Sequence, residues 1–435
     1  MTSSYLESVK QQYEALPYPL RDPADERKRL IQTIGDNLLV VNHFCFRARK
    51  DFRSGFRCLV AGGGTGDSLI YLAEQLKNFD AEVVYLDISA ASRAIAEERA
   101  RQRGLANIRW ISASIMDIPG LGLGEFDYIN CSGVLHHLES AEGGLAALNS
   151  VLKQDGAMFL MLYGTYGRRE VYDMQALLRA YLPAGASIPE KIALTRRLLD
   201  NLPPTNSFKR NIAMWEWEFA PGGFGDVGLY DLLLHSQDRC FDVPGVYEFA
   251  AAEGLHVAGF PMGADRYDPR NLVTDPEVRR RLSEFPLPQR QAIAEKISCV
   301  LRTHEFYLSR RNDSVASLDD EDNALITFWG MFLKQRAIAA ELKPGQPFIF
   351  RDGDRELSMG GSAISKALLA CMDGKTSIRD MYREVLANVP GSTLSMARQE
   401  LRSMYDFLHP AGYLYLIEPG SHAARLPDFR RFEIG

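Results

Sequence analysis

The residues best suited to chemistry are a glycine turn, Gly62-Gly63-Gly64-Thr65-Gly66, and one carboxylate, Asp87. An apolar run, Cys58-Leu59-Val60-Ala61, enters the turn, and a helical pattern from Ser68 to Leu76 leaves it. Strand, glycine turn and helix in that order make a nucleotide-type site. Glycines bend sharply and present no Cβ where a ligand must come close. A second apolar run, Val83-Val84-Tyr85-Leu86, ends in Asp87, where a ribose hydroxyl pair would be held. A dinucleotide fingerprint G-x-G-x-x-G would want glycine at 67, where the chain has Asp67.

The elements that must position these groups follow from the hydrophobic pattern. It predicts strands over 57–61, 82–87, 108–112, 126–131 and 157–163, and helices over 66–77, 89–103 and 142–152. Such alternation means a parallel sheet covered on both faces, with ligands at the carboxyl ends of its strands. Those ends carry the glycine turn, Asp87, Ser112 to Asp117, and Asn130 to Gly133. A helix near Val243 and strands at 256–260 and within 299–310 extend the sheet.

The flanking segments are of other kinds. Residues 4–16 read as a helix stopped by Pro17-Tyr18-Pro19, and the first 54 residues as a packing extension or as a lid carrying Tyr13, Tyr18 and His43. Residues 165–240 are too long for an ordinary connection and read as an inserted cap. In it, Trp215, Trp217 and Phe219 alternate with Glu216 and Glu218, which suggests a strand or an aromatic and acidic wall for a cationic ligand. An acidic stretch at 312–322 reads as a linker. Residues 325–420 then form a small α+β unit: a hairpin around Asp352, three helices over 362–372, 377–388 and 394–408, and a strand at 412–417.

Composition bounds the class. At 435 residues, 46% hydrophobic and 24% charged, the chain holds two or three globular units. A net charge of −6 offers no general basic field for nucleic acid. Cysteines 45, 58, 131, 240, 299 and 371 stand singly, so neither a metal site nor a disulfide framework is expected. No membrane span or secretory leader is expected, and the cytoplasm is the default location.

The segment Phe126-Asp127-Tyr128-Ile129-Asn130-Cys131-Ser132-Gly133-Val134-Leu135-His136-His137-Leu138 resembles the fourth-strand motif of class I S-adenosylmethionine (SAM)-dependent methyltransferases. Val151-Leu152-Lys153-Gln154-Asp155-Gly156 resembles that family's approach to strand five. The likeness covers 55–165, and more loosely 243–310. It implies a Rossmann-like, mostly parallel seven-stranded sheet in an α/β methyltransferase domain over 55–312. It implies SAM as cofactor, with Ala61, Gly62, Gly63, Gly64 and Gly66 under its methionine part and Asp87 on its ribose. Ser114, Ile115 and Asp117 become the adenine candidates, and Cys131, Ser132 and Gly133 line the methionine end. The family's usual acid two positions before the first glycine is Val60 here, so the amino group needs another acceptor: a carbonyl in 61–62 or 131–132, or Asp67.

The acceptor side is less determined. His235, Asp238 and Tyr163 are the catalytic candidates, because the cap's return and the end of strand five should face the acceptor. His136 and His137 read as packing or loop-positioning residues. The opening Tyr13 to Pro19 and the C-terminal unit are similar to protein-lysine methyltransferases of the rickettsial type. That unit also resembles winged-helix modules that bind peptides. The cap and the extra domain offer a large recognition surface, which points to a protein or peptide side-chain nitrogen as acceptor. A small-molecule N- or O-acceptor, a non-catalytic SAM-binding role and a homodimer remain open, and no nucleic acid is expected.

Overall fold

A computed structural model describes residues 7–261, 263–327, 339–343, 345–352 and 355–421. After helix α1 (Glu7–Ala15) and helix α2 (Leu38–Cys45), the chain alternates strand and helix. The elements are β1 (Ser54–Ala61), α3 (Asp67–Leu76), β2 (Asp80–Asp87), α4 (Ala90–Arg103), β3 (Ile108–Ser112), β4 (Phe126–Ser132), α5 (Ala141–Asn149) and β5 (Leu152–Gly164). Later come β6 (Cys240–Phe241), β7 (His256–Gly259) and β8 (Thr303–Ser309).

Seven strands pair in the order β3-β2-β1-β4-β5-β8-β7, and β6 adds to β5 beside that path. The first five are parallel, while β8 runs antiparallel between β5 and β7. The order reverses between β1 and β4, and a crevice forms at the carboxyl ends there. Successive residues of β1 face opposite sides. Leu59 and Ala61 enter one core with Val84, Leu86 and Ile129, while Cys58 and Val60 enter the other with Val83, Tyr85 and Tyr128. Both faces are covered, which is why these strands read as unbroken apolar runs.

Helix ends follow local chemistry. Ser89 caps α4 by accepting from Ser92 N, and Gly104, at φ 66°, ends it. Ser140 caps α5 through Gly143 N.

Three expectations are corrected. Segment 212–219 is no strand: Ile212–Met214 is a 3-10 turn and Glu216–Phe219 one helical turn. Trp215 is 2% exposed and Trp217 65%, whereas a strand would put both on one face. The expected linker is pinned to the body, because Ser314 Oγ donates to Phe44 O at 2.9 Å and Ala316 N to His43 O at 2.8 Å. His43 is not on a lid. Its Nδ1 accepts from Leu416 N at 3.1 Å, and its ring lies against His409 and Tyr415.

The C-terminal unit is a hairpin, β10 (Pro347–Asp352) with β11 (Arg355–Gly360), followed by helix Ala363–Ala370, β12 (Asp373–Ser377), helices Ile378–Asn388 and Leu394–Leu408, and β13 (Leu414–Ile417). β12 and β13 flank β9 (Ala324–Thr327) in a three-stranded sheet. Strand β12, at Asp373-Gly374-Lys375-Thr376-Ser377, interrupts the expected run of three helices. Its polar, glycine-containing sequence carries no strand signal.

Candidate functional site

A cavity of about 450 Å³ opens at the switch point of the sheet, within the range of small-molecule sites. At one end lie Gly62, Gly63, Gly64, Asp67, Asp87, Ser114, Ile115, Ser132 and Gly133, all named from the sequence. Gly62 has φ 72°, and a Cβ there would meet Val134 at 2.4 Å. No side chain fits, so the backbone itself forms the floor.

Asp87 shapes this floor as well as facing it. Its Oδ2 accepts from Gly64 N at 2.8 Å and its Oδ1 from Ser89 N at 2.8 Å. Burial pushes its carboxyl up from the ordinary range, while these amide donors pull it down. A carboxylate oxygen has more than one acceptor direction, so each retains capacity for a hydroxyl. Ile88, unnamed from the sequence, lines the wall with Ala113, Ile115 and Leu138.

Four expected residues do not line the cavity. Ala61 and Cys131 are buried in the core, where burial pushes the Cys131 thiol up. Gly66, at φ 102°, starts α3 and packs on Ala96. Asp117 accepts from Ser114 N at 3.0 Å, closing a capping box with Ser114, so its carboxylate is taken up in the turn.

Asp67 faces the cavity but is already paired. Arg21 holds it from two sides, Nε to Oδ1 at 2.9 Å and Nη2 to Oδ2 at 2.6 Å, and buried Arg99 reaches Oδ1 at 2.7 Å. Burial raises its carboxyl, but the two arginines outweigh this and hold it below the ordinary value. Asp36 stands near the position left apolar at Val60. The sheet pairs Val60 with Asn130, whose Nδ2 donates to Asp36 Oδ1 at 2.7 Å. Thr33 Oγ1 and Tyr128 OH also donate to it, at 2.7 and 3.1 Å. Thr33, Val60 and Asn130 all line the cavity.

Side-chain-free floor, ribose-level carboxylate and apolar wall fit the parts of SAM: methionine, ribose and adenine. The same cavity has a second, aromatic and charged end with Tyr13, Tyr18, His137, Tyr163, Arg168, Trp215, Glu218 and Asp231. Tyr13 OH donates to Asp231 Oδ1 at 3.1 Å, and Tyr163 OH donates to Oδ2 at 3.4 Å. Tyr18 OH donates to Glu218 Oε2 at 3.2 Å. Burial pushes the Asp231 carboxyl up to about 7 and raises that of Glu218.

Of the expected catalytic residues, Tyr163 lines this end, whereas His235 and Asp238 do not. Asp238 accepts from Gln175 Nε2 at 2.9 Å, and Arg168 Nη2 is 3.9 Å from it. His235 lies against Tyr13, with Nε2 3.3 Å from the hydroxyl. The unexpected members are Asp231, Arg168 and His137. Only His137 had a local signal, the His136-His137 pair after strand four.

His137, Asp231 and His235 bring their ligand atoms within 4.8 Å of one another, as in a metal site. The donors argue for a proton network instead. Gln237 N donates to His235 Nδ1 at 3.1 Å, so the neutral ring carries its proton on Nε2 and donates to Tyr13. His137 is opposite: its Nδ1 is bound to Gln237 O at 2.9 Å, so its proton is on Nδ1.

The N-terminal segment closes over both ends. Thr65 Oγ1 donates to Pro19 O at 2.7 Å, and Glu14 accepts from Ala90 N and Ala91 N at the start of α4. Tyr18 meets the Phe224 ring edge-on at 5.4 Å.

Known proteins share the fold and match the core of the sheet domain. A family profile described as "Methyltransferase domain" matches residues 59–158. An uncharacterized protein of Synechococcus sp. is 33% identical over 274 residues, covering 62% of this chain and 64% of its own. A ubiquinone/menaquinone biosynthesis C-methyltransferase of Sinorhizobium fredii is 29% identical over 110 residues, 25% of this chain and 42% of its own. The chain thus spans less than two thirds of the length of these curated relatives. The solved structure of PKMT2 from Rickettsia typhi superposes over 89% of this chain and 76% of its own, with TM-score 0.63 and 16% identity, a likeness of fold. With the sheet order and the glycine turn facing Asp87, residues 59–158 are the core of a class I SAM-dependent methyltransferase domain, with SAM as its cofactor.

Proposed function

We propose that the chain transfers a methyl group from SAM to a nitrogen of a protein or peptide side chain. One observation carries the acceptor class. In the same cavity as the glycine turn, Tyr13, Tyr18, Tyr163 and Trp215 stand with two carboxylates, Asp231 and Glu218. Aromatic faces and acids together favour a cationic amine. SAM, when bound, supplies an electrophilic methyl group on a sulfonium centre.

The chain's own residues would bind and align. Gly62 to Gly64 admit the methionine part, Asp87 takes the ribose, and Ile88, Ala113, Ile115 and Leu138 hold the adenine. In-line displacement gains mainly from such positioning and from exclusion of water. The N-terminal segment contributes the exclusion through Pro19, Tyr18 and Tyr13. PKMT2, which shares the fold, has also been solved in complex with AdoHcy. The C-terminal unit, read as winged-helix-like, would supply the surface for a macromolecular acceptor.

A second reading, a small amine as acceptor, is favoured by the Tyr13–Asp231 and Tyr18–Glu218 bonds that bridge the cavity to the N-terminal segment. Incubating purified protein and methyl-labelled SAM with extract of a deletion strain, then separating by size, decides between them. Label in a protein band supports the first reading and label in small molecules the second. Absence of both label and SAM binding would sink the enzyme reading.

A further inference from the structure

We propose that Asp231 is the general base of the reaction and that Tyr13, carried by the N-terminal segment, completes it as a positioning residue. The proposal rests on the amine reading above. Asp231 is 4% exposed, lines the cavity and lies in one π-helical turn, Tyr230–Leu234. Such turns interrupt α-helices at functional sites more often than elsewhere.

Its two oxygens are held from different parts of the fold. Tyr13 OH reaches Oδ1 from the N-terminal segment, and Tyr163 OH reaches Oδ2 from β5. Each oxygen keeps a further acceptor direction for a proton donor in the cavity. A carboxylate clamped by two phenols on cavity walls is aligned before an acceptor arrives.

The charged and titratable groups around it come from every wall. Tyr13 and Tyr18 belong to the N-terminal segment, His137 to the turn after β4, Tyr163 to β5 and Arg168 to the turn after it, and Arg302 immediately precedes β8. Glu218 belongs to the inserted segment, with His235 and Asp238 on its return. Burial dominates and raises the carboxyl, the Tyr13 bond lowers it, Glu218 and Asp238 raise it, and Arg168 lowers it. The outcome, about 7, suits proton transfer near neutrality. The histidines are poorer bases. Burial holds His137 down at about 4, and His235 is also lowered by burial and spends its Nε2 proton on Tyr13.

The step balances. The acceptor ammonium gives a proton to an Asp231 oxygen. The freed nitrogen lone pair forms a bond to the methyl carbon as the carbon–sulfur bond breaks, and that electron pair stays on sulfur. The positive charge passes from sulfonium to methylated nitrogen. Asp231 returns its proton to solvent when the site opens.

Two measurements test this. The first needs no acceptor. In aspartate-labelled protein with S-adenosylhomocysteine bound, the carboxyl-13C signal missing from Asp231→Asn should titrate near pH 7. It should move to higher pH in Tyr13→Phe. Titration below pH 5, or indifference to Tyr13→Phe, overturns the proposal. The second uses poly-L-lysine and methyl-labelled SAM. Asp231→Asn should lose about 100-fold or more at pH 7.5. Activity should return toward pH 10, where lysine amines lose their proton unaided, a recovery that a merely structural role would not give. A loss under 3-fold overturns the base assignment and leaves the function standing. No wild-type methylation of poly-L-lysine, with the NMR result intact, counts against the amine acceptor instead.

Discussion

Tyr13 and Asp231 are 218 positions apart in sequence, yet the Tyr13 hydroxyl donates to Asp231 Oδ1 at 3.1 Å. The bond joins the N-terminal segment to the far side of the cavity, around a carboxyl that burial pushes up to about 7. A carboxyl raised in the folded state binds its proton more tightly there than in the unfolded chain. Stability from this group is therefore full below pH 4 and is lost as pH rises from about 4 through about 7. Replacing Asp231 by Asn removes the titration. Relative to wild type, Asp231→Asn should gain stability across that window, by no more than a few kcal/mol, and hold the gain above pH 8. Chemical denaturation of both proteins at pH 4, 6 and 8 checks this. A difference that is flat with pH would show that Asp231 titrates normally.

Asp87 does two jobs, so its replacement should separate them. It faces the cavity, and it also accepts from Gly64 N and Ser89 N, which fixes the glycine turn against the start of α4. Asp87→Ala should weaken SAM binding by roughly 10-fold to 100-fold, about 1.5–3 kcal/mol for a charged acceptor. Asp87→Asn keeps one acceptor oxygen and should fall between. Calorimetric titration with SAM gives the affinities, and melting of the unliganded proteins reports the turn. Unchanged SAM affinity in Asp87→Ala would place the ribose elsewhere.

Arg21 is the cation that fastens the N-terminal segment to the glycine turn through Asp67. Arg99 remains on Asp67 without it, so Arg21→Ala should loosen the segment and leave the sheet intact. Faster SAM release in stopped-flow and earlier proteolysis before residue 35 are expected. The pair should also carry a pH signature. Burial raises the Asp67 carboxyl, but Arg21 and Arg99 more than offset it, leaving a folded value below the ordinary one. Stability from a depressed carboxylate is present above about pH 4 and lost as pH falls through the lower folded value. The stability gap between wild type and Arg21→Ala should therefore close below pH 4, from about 1–3 kcal/mol at pH 7.

The parallel sheet was legible because buried strands leave unbroken apolar runs, and because Gly62, Gly63 and Gly64 sit where no Cβ fits. β2 ends at Asp87 and β3 spans Ile108–Ser112, as the pattern predicts. The cofactor end was local: a turn and the strand tips beside it. The aromatic and charged end was legible only in part. Asp231 and Arg168 come from a segment with no sheet to register it, and tertiary packing alone brings Asp231 to Tyr13 and Arg168 over the Tyr163 ring. His235 and Asp238 showed the right chemistry, but the fold gives their polar atoms to Tyr13, Gln237 and Gln175. Trp215 and Trp217 mimicked a strand because alternation over five residues also fits a short helical turn with one ring buried. Asp36 lacked any signal, since only Thr33 is a local partner and the two on β4 that tie it to the site lie 92 and 94 positions away.

Asp36 yields the last prediction. The sheet rung of Val60 and Asn130 lacks the family's usual acid, and a buried carboxylate from the segment before α2 stands beside it. Tyr128 OH has a second acceptor in Gly35 O at 2.7 Å, but Asn130 Nδ2 and Thr33 Oγ1 spend their bonds on Asp36. In Asp36→Ala these two donors lose a charged acceptor, and a destabilisation of about 2–4 kcal/mol is expected. Because Thr33 and Asn130 line the cavity, SAM affinity should fall as well, by roughly 10-fold. Urea unfolding measures the first effect and calorimetric titration below the unfolding range the second. If stability falls while SAM affinity holds, the network braces β4 alone, and the amino group of SAM is met by main-chain carbonyls of the turn.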